Sequence, residues 1–412
     1  MARIFPFAPY RYTPRAGPLD RLATQPYDKI TPEMRERYLA ASPYNLVRII
    51  LGPPRAGDSP RDNPYTRAAR YFEDWIAQGV VAREAEPGLF PYFQEFVHPD
   101  TGEPLVRKGF IGLSAVEDYS AGVVYRHEQT LPGPKKDRLE LLRHTHAHFG
   151  QIFVLYSDPA GEVDRILEEA AAAQPVAEVC DEYGTAHRMW KIAQPAHLKR
   201  IAGLMSDKKL LIADGHHRYE TALAFRNENP QLEGAARVMT TFVNMHSPGL
   251  AILATHRLVG GLEGFAASRF LEGARQRGFG VSRMESPGAL KQALAGPSGV
   301  VGAAIEAELY LLQAPESWRG LDVRLLHDVL LPEVLRIGEE AVAAERNLRY
   351  VRGFEAAIAS ARRGETQIAF LLKPVTVEQV AEISFAGSVM PQKSTDFYPK
   401  LLSGLAIYRI GD

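Results

Sequence analysis

The sequence predicts an α/β protein of the mixed α+β kind, built on a mixed sheet. Three observations carry that expectation. Short apolar runs suited to buried strands alternate with longer amphipathic stretches along the chain. Helix punctuation recurs: Thr31-Pro32-Glu33, Asn63-Pro64 and Ser286-Pro287 each put a capping side chain before a proline, and Gly79 and Gly387 each close a helical pattern. The composition, 46% hydrophobic and 24% charged over 412 residues, supplies a full core and leaves room for two or three domains. There is no fixed-period repeat and no low-complexity tract.

Taken in order, residues 1–30 are rich in Pro, Tyr and Arg and read as extended, with a turn at Gln25-Pro-Tyr-Asp28 before a helix. Leu46 to Leu51 reads as a strand. A helix from Asn63 to Gln78 then puts Ala68, Phe72 and Trp75 near one face. Residues 89–98 and 105–116 form a strand pair, and Val123 to Tyr125 a short strand. Lys136 to Phe149 reads as helix, Ile152 to Tyr156 as strand, 162–178 as helix, and Glu182 to Lys191 as a hairpin. A helix from Pro195 to Met205 leads to the central stretch. Arg237 to Met245 and Leu250 to Thr255 follow as strands, and smaller alternating units fill the chain from about 260 onward. The expected organisation is an N-terminal region 1–200, a central strand–turn–helix region 201–260 and a C-terminal region 261–412 whose tail loop faces the site.

Charge and cysteine usage exclude several classes. The net charge of −1 offers no basic excess for nucleic acid. A single cysteine, Cys180, cannot form an internal disulfide or a cysteine metal cluster, and suits a reducing cytoplasm. Prolines break the N-terminal run where a signal peptide needs an apolar helix, and no apolar stretch is long enough to span a membrane. The expectation is a cytoplasmic protein acting on a small anionic molecule or nucleotide, its oligomeric state left open.

The central stretch is Lys209-Leu-Leu-Ile-Ala-Asp-Gly-His-His-Arg-Tyr-Glu-Thr-Ala-Leu-Ala-Phe225. Leu210 to Ala213 is a buried strand, Asp214 a helix cap, Gly215 the residue that lets the backbone turn, and Tyr219 to Arg226 a helix. A helix start offers unpaired N–H groups and a dipole that favour an anion. His216, His217 and Arg218 add side-chain donors, and Arg218 can grip phosphate with two parallel bonds. His or Arg also falls at two other expected strand ends, Arg126-His127 and His256-Arg257. If the three places converge, they ring a pocket, with acids available in Asp28, Glu128, Asp214 and Glu220 and phosphate ligands in Lys393, Ser394 and Thr395. His144 and His148 share a helix face at i, i+4, a metal spacing, without an acidic third ligand on that face. Glu220 with His216 or His217 is the other expected metal-holding combination.

Asp214-Gly-His-His-Arg-Tyr-Glu-Thr-Ala222, with Gln25-Pro-Tyr-Asp28, His127-Glu-Gln-Thr130, Thr255-His-Arg257 and Met390-Pro-Gln-Lys-Ser-Thr395, resembles a bacterial and archaeal family known as domain of unknown function 1015. Over about ten residues, Gly215-x-His-Arg-Tyr219 is also similar to the phosphate-binding turn of the ParB and sulfiredoxin superfamily, which includes free-serine kinases. That second likeness implies a ParB/sulfiredoxin-like core with large additions. It also implies ATP or ADP with Mg at the turn, and a small hydroxylated acceptor such as serine. Three functions follow from the residues. Phosphoryl transfer would use Gly215, His216, Arg218, His127, His256 and Arg257 around the phosphates, with Asp28, Glu128, Asp214 and His217 in acid–base roles. A metal-assisted phosphate-ester hydrolase would use the histidines as ligands. A nucleotide-binding regulator would keep the anion site without turnover. No Gly-x4-Gly-Lys-Ser/Thr loop and no Gly-x-Ser-x-Gly elbow is present, which removes the commonest NTPase and esterase readings.

Overall fold

A computed structural model describes residues 1–128, 132–318 and 320–411. Gln129 and Thr130 of the His127-Glu-Gln-Thr130 stretch lie outside the described residues. The protein is mixed α/β, and its chain divides into two compact units, Met1–Ala251 with Pro399–Asp412, and Ile252–Tyr398. Residues 201–251 belong to the first unit and 252–260 to the second, so the expected central region is shared between them.

The first unit is organised on a nine-stranded sheet. Its strands are β1 (Ile4–Phe5), β2 (Phe90–Val97), β3 (Pro104–Ala115), β4 (Val124–Tyr125), β5 (Ile152–Tyr156), β6 (Ala177–Cys180), β7 (Ala186–Met189), β8 (Leu210–Asp214) and β9 (Arg237–Asn244). The spatial order is β4-β8-β5-β9-β3-β2-β7-β6, with β1 added on β3. Pairing is antiparallel except for two parallel contacts, β4 with β8 and β5 with β9. The central strands are buried along β5 and along β8 as far as Ala213, as strands covered on both faces require. One apolar cluster takes in Val154, Ile166, Ile201, Ile212 and Phe242, and another Leu46, Ile49, Phe72, Trp75, Leu141 and Phe149.

Three expected elements come out differently. Leu46 to Leu51 is not a strand but a helical turn, Val47–Ile50. The Asn45 side chain accepts the Val47 N–H at 2.9 Å and starts the turn. A short apolar run buried on all sides does not separate the two conformations by period. The helix expected to reach Phe149 ends at Thr145. His146 is left-handed at φ 48, and Ala147–His148 pairs with Tyr408–Arg409. His144 and His148 therefore share no helix face. The helix expected over 162–178 stops at Ala171, ahead of Pro175, and Ala177 already begins β6.

The second unit holds a six-stranded, wholly antiparallel sheet: β10 (Thr255–Val259), β11 (Gly280–Met284), β12 (Val300–Ile305), β13 (Glu308–Gln313), β14 (Leu348–Arg352) and β15 (Ile368–Leu371), in the order β11-β13-β12-β15-β10-β14. Leu258, Leu290, Leu294, Leu309, Ile358 and Leu371 form its core. Among the described residues, no helix is long and apolar enough to cross a membrane.

Candidate functional site

The site in the first unit is made where two neighbouring parallel strands leave the sheet. β4 pairs with β8 through Leu210↔Val124 and Leu211↔Tyr125. Parallel neighbours run in the same direction, so the residues after Tyr125 continue beside the last residues of β8. β8 runs straight into a helix, α1 (His216–Glu228), through Gly215 at φ 95, a backbone region that favours glycine. Asp214 is not the cap that the sequence suggested. Gly215 occupies the cap position, and no side chain caps this helix start.

Asp214 is instead the centre of a charge cluster. Its carboxylate accepts from Arg218 Nη2 at 2.6 Å and lies 3.6 Å from Lys400 Nζ. Burial by itself would raise the carboxyl pKa, but Lys400, Arg218 and Lys29 outweigh it and hold Asp214 well below the usual carboxylate range. Arg218 also donates through Nη1 to the Gln151 carbonyl. Lys400 was missed at the sequence level, where only Lys393, Ser394 and Thr395 of its loop were singled out. The signal was a lysine directly after the apolar run Phe397-Tyr398-Pro399, where it ends only 9% exposed. Its backbone is pinned: the Lys400 carbonyl accepts from Gln94 Nε2 at 2.9 Å, and the Pro399 carbonyl accepts from the buried Arg107. Burial lowers the Arg107 pKa to about 10.

His127 and His216 meet at the strand ends, their ring centroids 4.5 Å apart and their planes at 81°. Both are buried. His127 Nδ1 lies 2.7 Å from the Ile212 carbonyl, which fixes the proton on Nδ1 and leaves the lone pair on Nε2. The His127 N–H approaches His216 Nε2 at 3.4 Å. Burial lowers both pKa values, that of His216 strongly and with a further lowering from His127. Both imidazoles are therefore neutral at pH 7. His217, on the same first turn, is half-buried.

Glu220 lies between Arg126 and Lys135, 3.3 Å from each, so it is the anion of an ion-pair cluster rather than the carboxylate of a His216 or His217 metal pair. Among the described residues, a different trio gathers: His127, Glu128 and His216 each offer a ligand atom, all within 4.8 Å of one another. Mg prefers oxygen ligands. The carboxylates of Asp214 and Glu220 are each engaged by two cations, so the turn itself does not supply an oxygen set.

The Gln25-Pro-Tyr-Asp28 segment reaches the same place. Gln25 Nε2 donates to Asp181 Oδ2 at 3.1 Å, and Tyr27–Lys29 form a short helical turn that leaves Asp28 exposed. Tyr27, Leu141, Phe149, Gly150, Arg218 and Ser403 line a largely apolar cavity beside the turn. The Arg138 guanidinium lies 4.2 Å over the Tyr27 ring, and burial, then Asp28, pushes the phenol up to about 12.

The third expected pair belongs to the second unit and is built differently. The expected strand over Leu250 to Thr255 is present as Ala251–Leu253, but His256 and Arg257 then lie inside a second strand, β10, paired with Val351 and Tyr350 of β14. Leu258 and Val259 continue that second strand beyond the polar pair, so the pair is not at a strand end. Arg257 is 1% exposed and donates to the carbonyls of Thr255, Gln392 and Lys393. His256 Nδ1 accepts from the Leu372 N–H at 3.3 Å, and burial lowers its pKa to about 4. Lys393 is exposed at φ 56, the Ser394 hydroxyl is buried and donates to the Pro391 carbonyl, and Thr395 is half-buried.

Residues 4–324 match the family described as Protein of unknown function (DUF1015). The chain belongs to that family. None of the curated proteins matches it. Solved structures similar to it include a free serine kinase in complex with AMP, at 14% identity and a TM-score of 0.39, over 70% of this chain and 88% of that one. A conserved hypothetical protein from Pyrococcus furiosus is similar at 16% and 0.37, over 69% and 90%. SbnI from Staphylococcus aureus is similar at 11% and 0.35, over 71% and 85%.

Proposed function

We propose that this protein is a phosphate- or nucleotide-binding enzyme that transfers a phosphoryl group to a small hydroxylated metabolite. The observation that carries the reading is the uncapped start of α1 at Gly215, with Arg218 and the half-buried Lys400 gathered on Asp214 beside it. A helix start favours an anion, and two cations on one carboxylate leave a net positive corner. The cavity lined by Tyr27 and Phe149 adjoins Arg218 and has the apolar, aromatic walls that suit a nucleobase. Phosphates would sit on the turn, with ATP or ADP and its divalent ion as donor. Asp28, exposed beside that cavity, would accept the proton of the acceptor hydroxyl as the new P–O bond forms and the bond to the leaving phosphate breaks. The likeness of Gly215-x-His-Arg-Tyr219 to the free-serine kinase turn makes serine the first acceptor to try.

Calorimetric titration with ADP, ATP, CTP and inorganic phosphate, run beside a mass-spectrometric screen for phosphorylated hydroxy amino acids, tests this. Nucleotide binding with product formation supports transfer. Nucleotide binding without any product would leave a regulator. Phosphate release from esters without nucleotide would favour the second reading, a metal-assisted hydrolase, which the His127–Glu128–His216 trio supports.

A further inference from the structure

We infer that His127, Glu128 and His216 form a site for a borderline transition-metal dication, of the Zn, Mn, Fe or Co class, distinct from any Mg brought by a nucleotide. The site stands on geometry. Its three ligand atoms lie within 4.8 Å of one another and come from two segments that the parallel β4–β8 pairing brings together. Metal bonds of about 2.1 Å need those atoms somewhat closer, a shift that a change of rotamer in the half-buried Glu128 would supply. His127 carries the outer hydrogen bond that metal-binding histidines ordinarily make. Its Nδ1–H faces the Ile212 carbonyl at 2.7 Å, so Nε2 holds a lone pair for an ion. The rings stand at 81°, which lets their in-plane lone pairs converge rather than stack. The contact from the His127 N–H to His216 Nε2 is long at 3.4 Å, and an ion would replace it.

The surrounding charges fit this. Arg126 and Lys135 are the nearby cations, and both are drawn onto Glu220. Asp214 lies on the other side, engaged with Arg218 and Lys400. Glu128 is the carboxylate of the trio, and two imidazoles with one carboxylate make a nitrogen-rich set. Such a set selects transition ions over Mg or Ca, which take oxygen ligands. His216 is the first residue of α1, so an ion held there would add positive charge next to the phosphate turn.

The test uses the tag-free full chain, stripped with a chelator and titrated with Co and Zn in the absence of any nucleotide. Binding is read by calorimetry and by the visible absorption of Co. The expected result is one ion per chain, not displaced by millimolar Mg. Removing an outer partner of a metal ligand costs about 10- to 100-fold in affinity, so His127→Gln and Glu128→Gln should each weaken binding by at least about 100-fold. Glu128→Gln, at a half-buried position, guards against a variant that only unfolds. Substoichiometric binding by the parent chain, or unchanged affinity in a folded Glu128→Gln, overturns the site. Because no nucleotide is present, either failure leaves the phosphate-turn proposal standing.

Discussion

Two places in this molecule carry the same signature in sequence, a histidine and an arginine next to a buried apolar run, and they become opposite things. At His216 to Arg218 the backbone leaves its sheet through a left-handed glycine and enters a helix. At His256 and Arg257 it stays in the sheet, His256 paired with Val351 and Arg257 with Tyr350 and Phe370 on either side. Both arginines donate to main-chain carbonyls. Arg218, however, also meets a carboxylate and lines a cavity, whereas Arg257 is sealed in and ties down Gln392 and Lys393. A polar pair beside a strand becomes a site only where the chain turns out of the sheet there, because only then are N–H groups left for a ligand.

The comparison can be broken most forcefully at Arg257. Arg257→Met should lower stability by about 3 kcal/mol, since it strips the donors from buried carbonyls; a urea unfolding midpoint checks it. An effect within a few tenths of a kcal/mol would mean that the arginine is not structural. Gly215→Ala acts on the other place. A Cβ there would lie 3.1 Å from Arg218 Nε on a backbone at φ 95. Stability should fall by about 1–2 kcal/mol. Affinity for phosphate or ADP should fall by an order of magnitude or more, read by calorimetry.

Acid acts on both places through their buried histidines first, and on Asp214 only later. His256 has its pKa lowered from 6.5 to about 4, so the unfolded chain binds the proton first and stability is lost as pH falls below about 6.5. His256→Gln should flatten that part of the decline. Asp214 also has a lowered pKa, but as an acid its contribution is present above 3.8 and disappears only as pH falls below that value. Lys400→Met should therefore reduce the difference in unfolding midpoint between neutral and strongly acid solution while leaving the histidine-linked onset where it is. The smallest effect belongs to Glu220→Gln. Its partners Arg126 and Lys135 are 41% and 39% exposed, and stability should change by less than about 1 kcal/mol.

Local pattern made much of this legible. The central strand, the turn glycine and the helix after it are written in the spacing of Leu210 to Phe225, and the capped helices at Pro64 and Pro287 start where their asparagine and serine say. The errors fell where burial on all sides erases periodicity, as at Val47–Ile50, or where a polar pair was read as a strand end, as at His256. Lys400 escaped because its partner, Asp214, lies far away along the chain.

By itself, then, the sequence determined the mixed α/β class, the family and the strand–glycine–helix corner, because each rests on contacts between near neighbours or on a motif. Tertiary structure decided which polar residues share that corner. It made His216 neutral by packing it on His127, drew Glu220 onto Arg126 and Lys135, brought Lys400 to Asp214, and kept Arg257 inside a sheet. The physical reason is that protonation, pairing and access depend on burial and on distant partners, and neither is encoded in the spacing of residues along the chain.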